Sequence, residues 1–227
     1  IRNNEALLTA FFQQMPKGGD LHHHFSGSIY AEPLLERAIA ENFYLNVETM
    51  AVSKTKPANG NWDSFSSLKE KGKLDYYEQQ IMQTWSIKDY NGSVPSDDQF
   101  FDSFMKFEPT IAGHFAEGML ELKKRAISEN VSYIETQLST IPSDMNVSDL
   151  ADFNTKLRLV ANAKDEKAVL KLLDELYKAL QQKDAKKYAL DFNNNFIAKL
   201  HKDLKIDDEK FTMRYQNFVL RFMDPVD

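Results

Sequence analysis

Three consecutive histidines, His22, His23 and His24, are the residues of this sequence best suited to metal chemistry. They stand in a short stretch that is typical of a β-strand, in which successive side chains point to opposite faces. His22 and His24 should therefore share one face, with His23 on the other. Two imidazoles at the end of a strand can reach one divalent cation, and zinc accepts such nitrogen ligands. The spacing alone is equally compatible with a tag or with surface histidines that have no role.

The elements that must position these histidines alternate between strands and helices. Strands are predicted over residues 20–25, 131–138 and 212–222. Helices are predicted over residues 4–14, 32–42, 66–85, 110–130, 148–161, 165–182 and 186–202. Residues 54–64 contain Pro57 and Gly60 and are predicted as a loop. This order favours an α/β fold with a parallel sheet, although three strands cannot close a barrel.

The composition is that of a globular protein and restricts the partners. The 227 residues are 42% hydrophobic and 27% charged, with a net charge of −6. An acidic balance argues against nucleic acid as a partner, and no apolar run is long enough for a membrane helix. The absence of cysteine excludes disulfides and thiolate-bound zinc. Both a cytoplasmic location and export, with a signal removed before Ile1, are compatible with the sequence.

Several ordered segments resemble the adenosine deaminase family of metal-dependent amidohydrolases. Residues 15–28, MPKGGDLHHHFSGS, are similar to its first-strand metal motif, above all in the branch of the adenosine deaminase growth factors and their bacterial relatives. The resemblance continues through residues 83–90 and 125–135. Residues 100–113 look like the aromatic gate helix of the family and the segment after it. The similarity covers residues 15–138, and more faintly extends to residue 222.

This resemblance implies a fold and a site. The family fold is a TIM (β/α)8 barrel, so the chain is expected to be one incomplete domain, the N-terminal part with about three β/α units and helical insertions. Residues 1–19 would be a helical lead-in, and residues 143–210 a helical insertion between the second and third strands. His22 and His24 would be two ligands of one Zn²⁺ ion. The catalytic acid and base residues would lie in a C-terminal part of the barrel, in the same chain or in a cleaved one, and none is identified within this chain.

The resemblance also implies substrate contacts. Phe100 and Phe104 correspond to the gate aromatics of the family and are one helical turn apart. Ser26 stands where better-known members have an aspartate that contacts the ribose, and it can hydrogen-bond a hydroxyl without charge. His114 and His201 fall in predicted helices rather than at strand ends and are predicted to be structural or exposed.

The expected activity of the whole enzyme is zinc-dependent hydrolytic deamination of adenosine, a small-molecule nucleoside, to inosine and ammonia. This fragment is expected to be inactive alone, because the acid and base residues and the remaining ligands are missing. Two alternatives remain open. One is an amidohydrolase that acts on another aminopurine, a nucleotide or a free base. The other is a binding or signalling module that retains the scaffold without the chemistry.

Overall fold

The structure is a computed structural model that describes residues 1–138 and 146–218. Its helices are α1 (Glu5–Gln14), α2 (Ala31–Ala40), α3 (Phe65–Glu70), α4 (Leu74–Trp85), α5 (Ser96–Phe107), α6 (Phe115–Ser128), α7 (Asp152–Asn162), α8 (Glu166–Gln182), α9 (Ala185–Asp191) and α10 (Ala198–Asp203). Its strands are β1 (Gly18–His24), β2 (Tyr44–Asn46), β3 (Val52–Ser53), β4 (Trp62–Ser64), β5 (Val131–Gln137) and β6 (Thr212–Gln216). A π-helical segment, Phe192–Ile197, joins α9 to α10.

The main sheet is parallel and has the strand order β1-β5-β6. The prediction of an α/β fold with a three-stranded parallel sheet is therefore confirmed. The strands described do not close into a barrel. Since parallel strands have their carboxyl ends at one edge, His24 at the end of β1 and Thr136 near the end of β5 lie at the same edge of the sheet.

A second, antiparallel sheet has the order β3-β2-β4. The loop predicted over residues 54–64 is present over residues 54–61, and the prediction is wrong for residues 62–64, which form β4. In its register, Leu45 of β2 pairs with Val52 on one side and with Asp63 on the other. These strands have only two or three residues, too few for a periodic pattern to be read from the sequence. β3 and β4 are strands because each pairs with β2. The turn residues Pro57 and Gly60 lie in the connection between β3 and β4.

Several predicted boundaries also change. The first strand, predicted over residues 20–25, runs from Gly18 to His24, so the last two residues of the predicted helical lead-in over residues 1–19 belong to β1. The helix predicted over residues 110–130 begins only at Phe115, because His114 has the non-helical angles φ −116° and ψ 31° and is the N-cap residue of α6. The last predicted strand, over residues 212–222, is described as Thr212–Gln216, and residues 219–222 lie outside the described part of the chain. None of the helices described is long and apolar enough to cross a membrane.

The chain divides into two compact units. The first consists of Ile1–Thr136 and Ile206–Arg214, and the second of Gln137–Lys205 with the residues from Tyr215 onward. The helical lead-in contains α1, which has no buried residue. The helices α7 to α10 follow β5 and precede β6, where the insertion over residues 143–210 is predicted; residues 143–145 lie outside the described residues. The single incomplete domain itself stays a prediction.

The core of the first unit contains the side chains that hold the end of β1. Its most deeply buried large residues are Phe25, Phe43, Phe65, Phe211, Leu34, Leu45, Leu68, Ile81, Met119, Leu122, Ile206 and Met213. Phe25 directly follows β1 and lies 5.7 Å from Phe115 of α6, measured between ring centroids. The core of the second unit is formed by Leu150, Leu157 and Leu176, from the region of α7 and α8.

Gly118 allows α6 to approach the end of β1 closely. A Cβ atom at this position would lie 2.7 Å from Cζ of Phe25 and 2.9 Å from Cδ1 of Ile29. Both side chains are buried, so neither can move aside without disturbing its neighbours. The absence of a side chain at Gly118 is therefore a packing requirement that outweighs the usual helical preference for alanine.

We expect Gly118→Ala to lower the free energy of unfolding by about 1–2 kcal/mol. Overpacking in a closed core costs about 1–3 kcal/mol, and two contacts below 3.0 Å place this site in the upper part of that range. The gain in helix propensity of about 1 kcal/mol offsets only part of this cost. Urea unfolding followed by circular dichroism measures the difference. Lys124→Ala, at an exposed position of the same helix, is the control and should change stability by less than about 0.5 kcal/mol. A Gly118→Ala variant as stable as the wild type would contradict this packing.

Candidate metal centre and aromatic cleft

The three histidines alternate across β1. His23 is buried, with 8% of its surface exposed, whereas His22 is exposed and His24 is half-buried. The ring centroids of His22 and His24 are 5.2 Å apart, with the ring planes at 73°. The arrangement predicted from strand alternation is thus present, with the two outer rings adjacent and the middle ring inside. Binding of a metal by His22 and His24 stays a prediction.

His23 joins β1 to the central strand. Its Nδ1 lies 3.0 Å from the hydroxyl oxygen of Thr136 in β5, and Thr136 is fully buried. Burial lowers the pKa of His23 below the ordinary value of 6.5, and the carboxylate of Asp20 opposes this effect. His23 is therefore held as a neutral, hydrogen-bonded part of the sheet and has no access to a cation on the opposite face.

His22 and His24 could supply two of the four ligands of a zinc site. Burial lowers the pKa of His24, and the neighbouring His22 adds to the effect, so the neutral imidazole is favoured. The backbone N–H of His22 donates to the Asp20 carboxylate at 3.0 Å, which fixes the strand just before the pair. Two imidazoles at the carboxyl edge of a parallel sheet can bind zinc only together with further ligands.

No third metal ligand joins the pair in the part of the chain that the structure describes. Within residues 1–138 and 146–218, no group of three or more His, Cys, Asp or Glu side chains is arranged to hold a metal ion. His114 pairs with Glu41 at 2.5 Å and caps α6, while His201 of α10 lies 2.9 Å from the hydroxyl of Tyr215. Both take part in polar contacts, and Tyr215 is the residue before the last of β6. That these two histidines are structural or exposed stays a prediction.

A tight turn follows the histidines and brings an aromatic ring next to them. The turn is the 3-10 segment Ser26–Ser28, in which the carbonyl of Ser26 accepts the N–H of Ile29 at 3.4 Å. A Cβ atom at Gly27 would lie 2.8 Å from two ring atoms of Phe104 and 3.6 Å from Cβ of His24. Only glycine allows the ring to lie this close. The chain segment that ends β1 and the helix α5 therefore meet at Gly27.

An aromatic cleft of about 510 Å³ extends from this contact. Phe100 and Phe104 both line it, and their ring centroids are 5.1 Å apart, so the pair predicted to share one face of a helix does so. Phe107 and Trp85 form its inner wall, 6.1 Å apart between ring centroids. Ser26 directly precedes Gly27, which lines the cleft. Ser26 itself is half-buried and does not line the cleft.

Tyr30 and Gln99 are among the residues of the cleft that sequence reasoning missed. Tyr30 lines it from the start of α2 and is 57% exposed. Gln99 of α5 also lines it, and its side-chain amide donates to the carbonyl oxygens of Gln83, Thr84 and Ser86 at 2.8–3.2 Å. Gln99 therefore ties α5 to the carboxyl end of α4. No local pattern indicates this role, because all three acceptors are backbone atoms 13–16 residues away.

A larger cleft of about 690 Å³ lies along α2 and α4 and differs in chemistry. Its lining includes five acidic residues, Glu32, Glu36, Asp75, Glu78 and Asp89. Lys88 is its one cationic residue, no histidine lines either cleft, and Glu32 and Lys88 line both. We assign the candidate site to the smaller aromatic cleft because Gly27, three residues after His24, lines it.

A comparison with known protein families and with curated proteins gave no match for this chain.

The buried His23 leads us to expect that stability falls in mild acid. Because its pKa is below 6.5 in the folded state and near 6.5 in the unfolded state, the unfolded state binds more protons as the pH drops through 6.5. The free energy of unfolding should therefore be fully retained above this pH and decrease below it. Urea unfolding at several values between about pH 5 and pH 7.5 measures this, above the range in which most carboxylates titrate.

The matched variant for this test is His23→Gln, which keeps a polar side chain and removes the titrating ring. It should be less stable at neutral pH and should show a flatter dependence on pH than the wild type. In both proteins the lowered pKa of His24 contributes a residual slope of the same sign, and the raised pKa of Glu121 contributes a slope of the opposite sign at the acid end of this range. The assignment to His23 would be wrong if the wild type and the variant lost stability with the same slope.

Proposed function

We propose that this chain is the N-terminal part of a zinc-dependent amidohydrolase of the TIM-barrel type, and that the whole enzyme deaminates adenosine. The observation that carries the proposal is the pair His22 and His24, with rings 5.2 Å apart at the carboxyl end of a parallel strand. In TIM barrels, catalytic side chains stand at this end of the strands. The resemblance of residues 15–28 to the metal motif of adenosine deaminases supports the same conclusion.

The donor set suits zinc. His22 and His24 would each supply one ring nitrogen, and the further ligands would come from the proposed C-terminal part of the barrel. A bound zinc ion lowers the pKa of water and so supplies a hydroxide nucleophile near neutral pH. The role of the two histidines is to hold that ion next to the turn at Gly27. His23 keeps the strand in register by its contact with Thr136, so that both outer rings point to the same side.

The aromatic cleft suits the other reactant. Phe100 and Phe104 offer flat apolar surfaces on which a purine can stack, and they lie against Gly27 next to His24. An apolar wall also excludes bulk water from the place where the amino group is displaced. In the net reaction, water adds to the purine carbon that bears the amino group, and ammonia leaves. Ser26, half-buried in the same turn, is suited to hydrogen-bond a ribose hydroxyl.

The first test compares the chain alone with the chain joined to the proposed C-terminal part. The 227-residue chain with zinc should release no ammonia from adenosine, because its described residues hold no group of three metal ligands and the acid and base residues are proposed to lie in the C-terminal part. The joined protein should be active and should lose activity when zinc is removed by a chelator. Turnover by the chain alone that depends on zinc would contradict the proposed fragment.

In the joined protein, His22→Ala and His24→Ala should each reduce kcat/KM at least about a hundredfold, since even outer-shell partners of a metal ligand cost ten- to a hundredfold. Zinc content by atomic absorption should fall in parallel. His201→Ala is the matched control, because it removes an imidazole from α10, and it should retain both activity and zinc. Equal losses in all three variants would show that the effect is not specific to the pair.

Ser26 favours one alternative function. Ser26 is uncharged, so it would bind a ribose hydroxyl less strongly than a carboxylate would, and the preference for a nucleoside would be weaker. A nucleotide or a free aminopurine is therefore the competing substrate class. Comparing kcat/KM for adenosine, adenine and adenosine monophosphate decides between them. Adenosine as the best substrate supports the main proposal. A joined protein that binds zinc and turns over none of the three would support a binding module on the same scaffold.

A further inference from the structure

Helix α6 contacts both ends of the short segment that connects β1 to α2. At its start, Phe115 and Gly118 pack on Phe25, the residue that follows His24. One to two turns later, Glu121 and Arg125 reach Ser28 and Tyr30. Apolar packing at one end of the segment is thus followed by polar contacts at the other end. These polar contacts have no part in the metal pair described above.

Glu121 and Arg125 hold the backbone on both sides of Ile29. The backbone N–H of Tyr30 is close enough to the carboxylate of Glu121 to oppose the rise in the pKa of that group. The Nη2 atom of Arg125 donates to the carbonyl oxygen of Ser28. The guanidinium of Arg125 also lies over the ring of Tyr30, with Cζ 4.1 Å from the ring centroid. Two residues one helical turn apart therefore contact the Ser28 carbonyl oxygen, the Tyr30 backbone N–H and the Tyr30 ring.

The two charged groups are partly desolvated and depend on each other. Their side chains are 19% and 25% exposed, and Nη1 of Arg125 lies 3.6 Å from Oε1 of Glu121. Nη1 is buried and makes no hydrogen bond to the described residues, and the carboxylate of Glu121 at 3.6 Å compensates its charge. Burial raises the pKa of Glu121, and the charge of Arg125 opposes this shift. Removal of either partner leaves a partly buried charge with only its second neighbour, Glu129 for Arg125 and Arg37 for Glu121.

We propose that Glu121 and Arg125 are positioning residues that clamp the turn between β1 and α2 and thereby fix Tyr30 as a wall of the aromatic cleft. The step from the clamp to ligand binding rests on the proposed function, because it assumes that an aminopurine occupies this cleft. Neither residue lines the cleft. Their effect on a ligand therefore passes through Tyr30, which does.

Arginine is specifically suited to this position. Its planar group can donate to the Ser28 carbonyl in its own plane while its face covers the Tyr30 ring, which a lysine ammonium cannot do at the same time. Glutamine at position 121 retains an oxygen that can accept the Tyr30 N–H and loses only the charge. These two conservative variants separate the geometry of the clamp from its net charge.

Hydrogen exchange of the 227-residue chain tests the clamp directly. In Arg125→Lys and in Glu121→Ala, the backbone amides of residues 28–30 should exchange about tenfold faster than in the wild type, since hydrogen bonds to charged groups are lost. Glu121→Gln should stay within about threefold of the wild type because the acceptor is kept. Arg158→Lys, at an exposed position of α7, is the matched control and should exchange like the wild type. Unchanged exchange in both disruptive variants would overturn the clamp.

Kinetics of the joined protein test the consequence for the cleft. Arg125→Lys should raise KM for the aminopurine about fivefold or more and leave kcat within about threefold, because it disturbs the wall of the cleft and not the reacting groups. Faster exchange together with an unchanged KM would overturn the positioning role. A wild-type protein without turnover would contradict the proposed function, and the exchange data would still decide the clamp.

Discussion

The arrangement of the candidate site depends on one buried contact, that of His23 with Thr136. This contact fixes which face of β1 turns toward the interior, and a shift of one residue would exchange the faces of all three histidines. With His23 inside, His22 and His24 must point outward together, and their rings lie side by side. The polar interior partner also makes the inner histidine costly to replace by an apolar residue, because the buried Thr136 hydroxyl would then lack this partner.

Two helices, α5 and α6, pack closely against the end of β1, and each close contact requires a glycine. Gly118 lets α6 lie against Phe25, and Gly27 lets Phe104 lie beside His24. Each glycine thus joins the end of β1 to a helix that carries other side chains of the site. The aromatic cleft exists because α5 is held on both sides, by Gly27 at the ring of Phe104 and by Gln99 at the end of α4. In the proposed enzyme, the metal would bind at His22 and His24, and the purine would bind in the aromatic cleft.

Sequence reasoning succeeded where a periodic pattern is long or an alternation is simple. It predicted the parallel arrangement of three strands separated by helices, the common face of His22 and His24, and the helical pairing of Phe100 with Phe104. It missed the antiparallel sheet, whose strands are too short to show a pattern. It also missed Tyr30, because its place in the cleft depends on Arg125, 95 positions further along the chain, and on α6. Contacts of this kind arise from tertiary packing and have no local signature.

The most direct test of the account is a crystal structure of the zinc-loaded joined protein, with anomalous diffraction recorded on both sides of the zinc absorption edge. The account predicts one anomalous peak within about 2.1 Å of a ring nitrogen of both His22 and His24, with His23 still against Thr136. A peak bound to other residues, or none at this pair under zinc saturation, would contradict the assignment of the metal centre. It would also remove the observation on which the proposed deaminase activity depends.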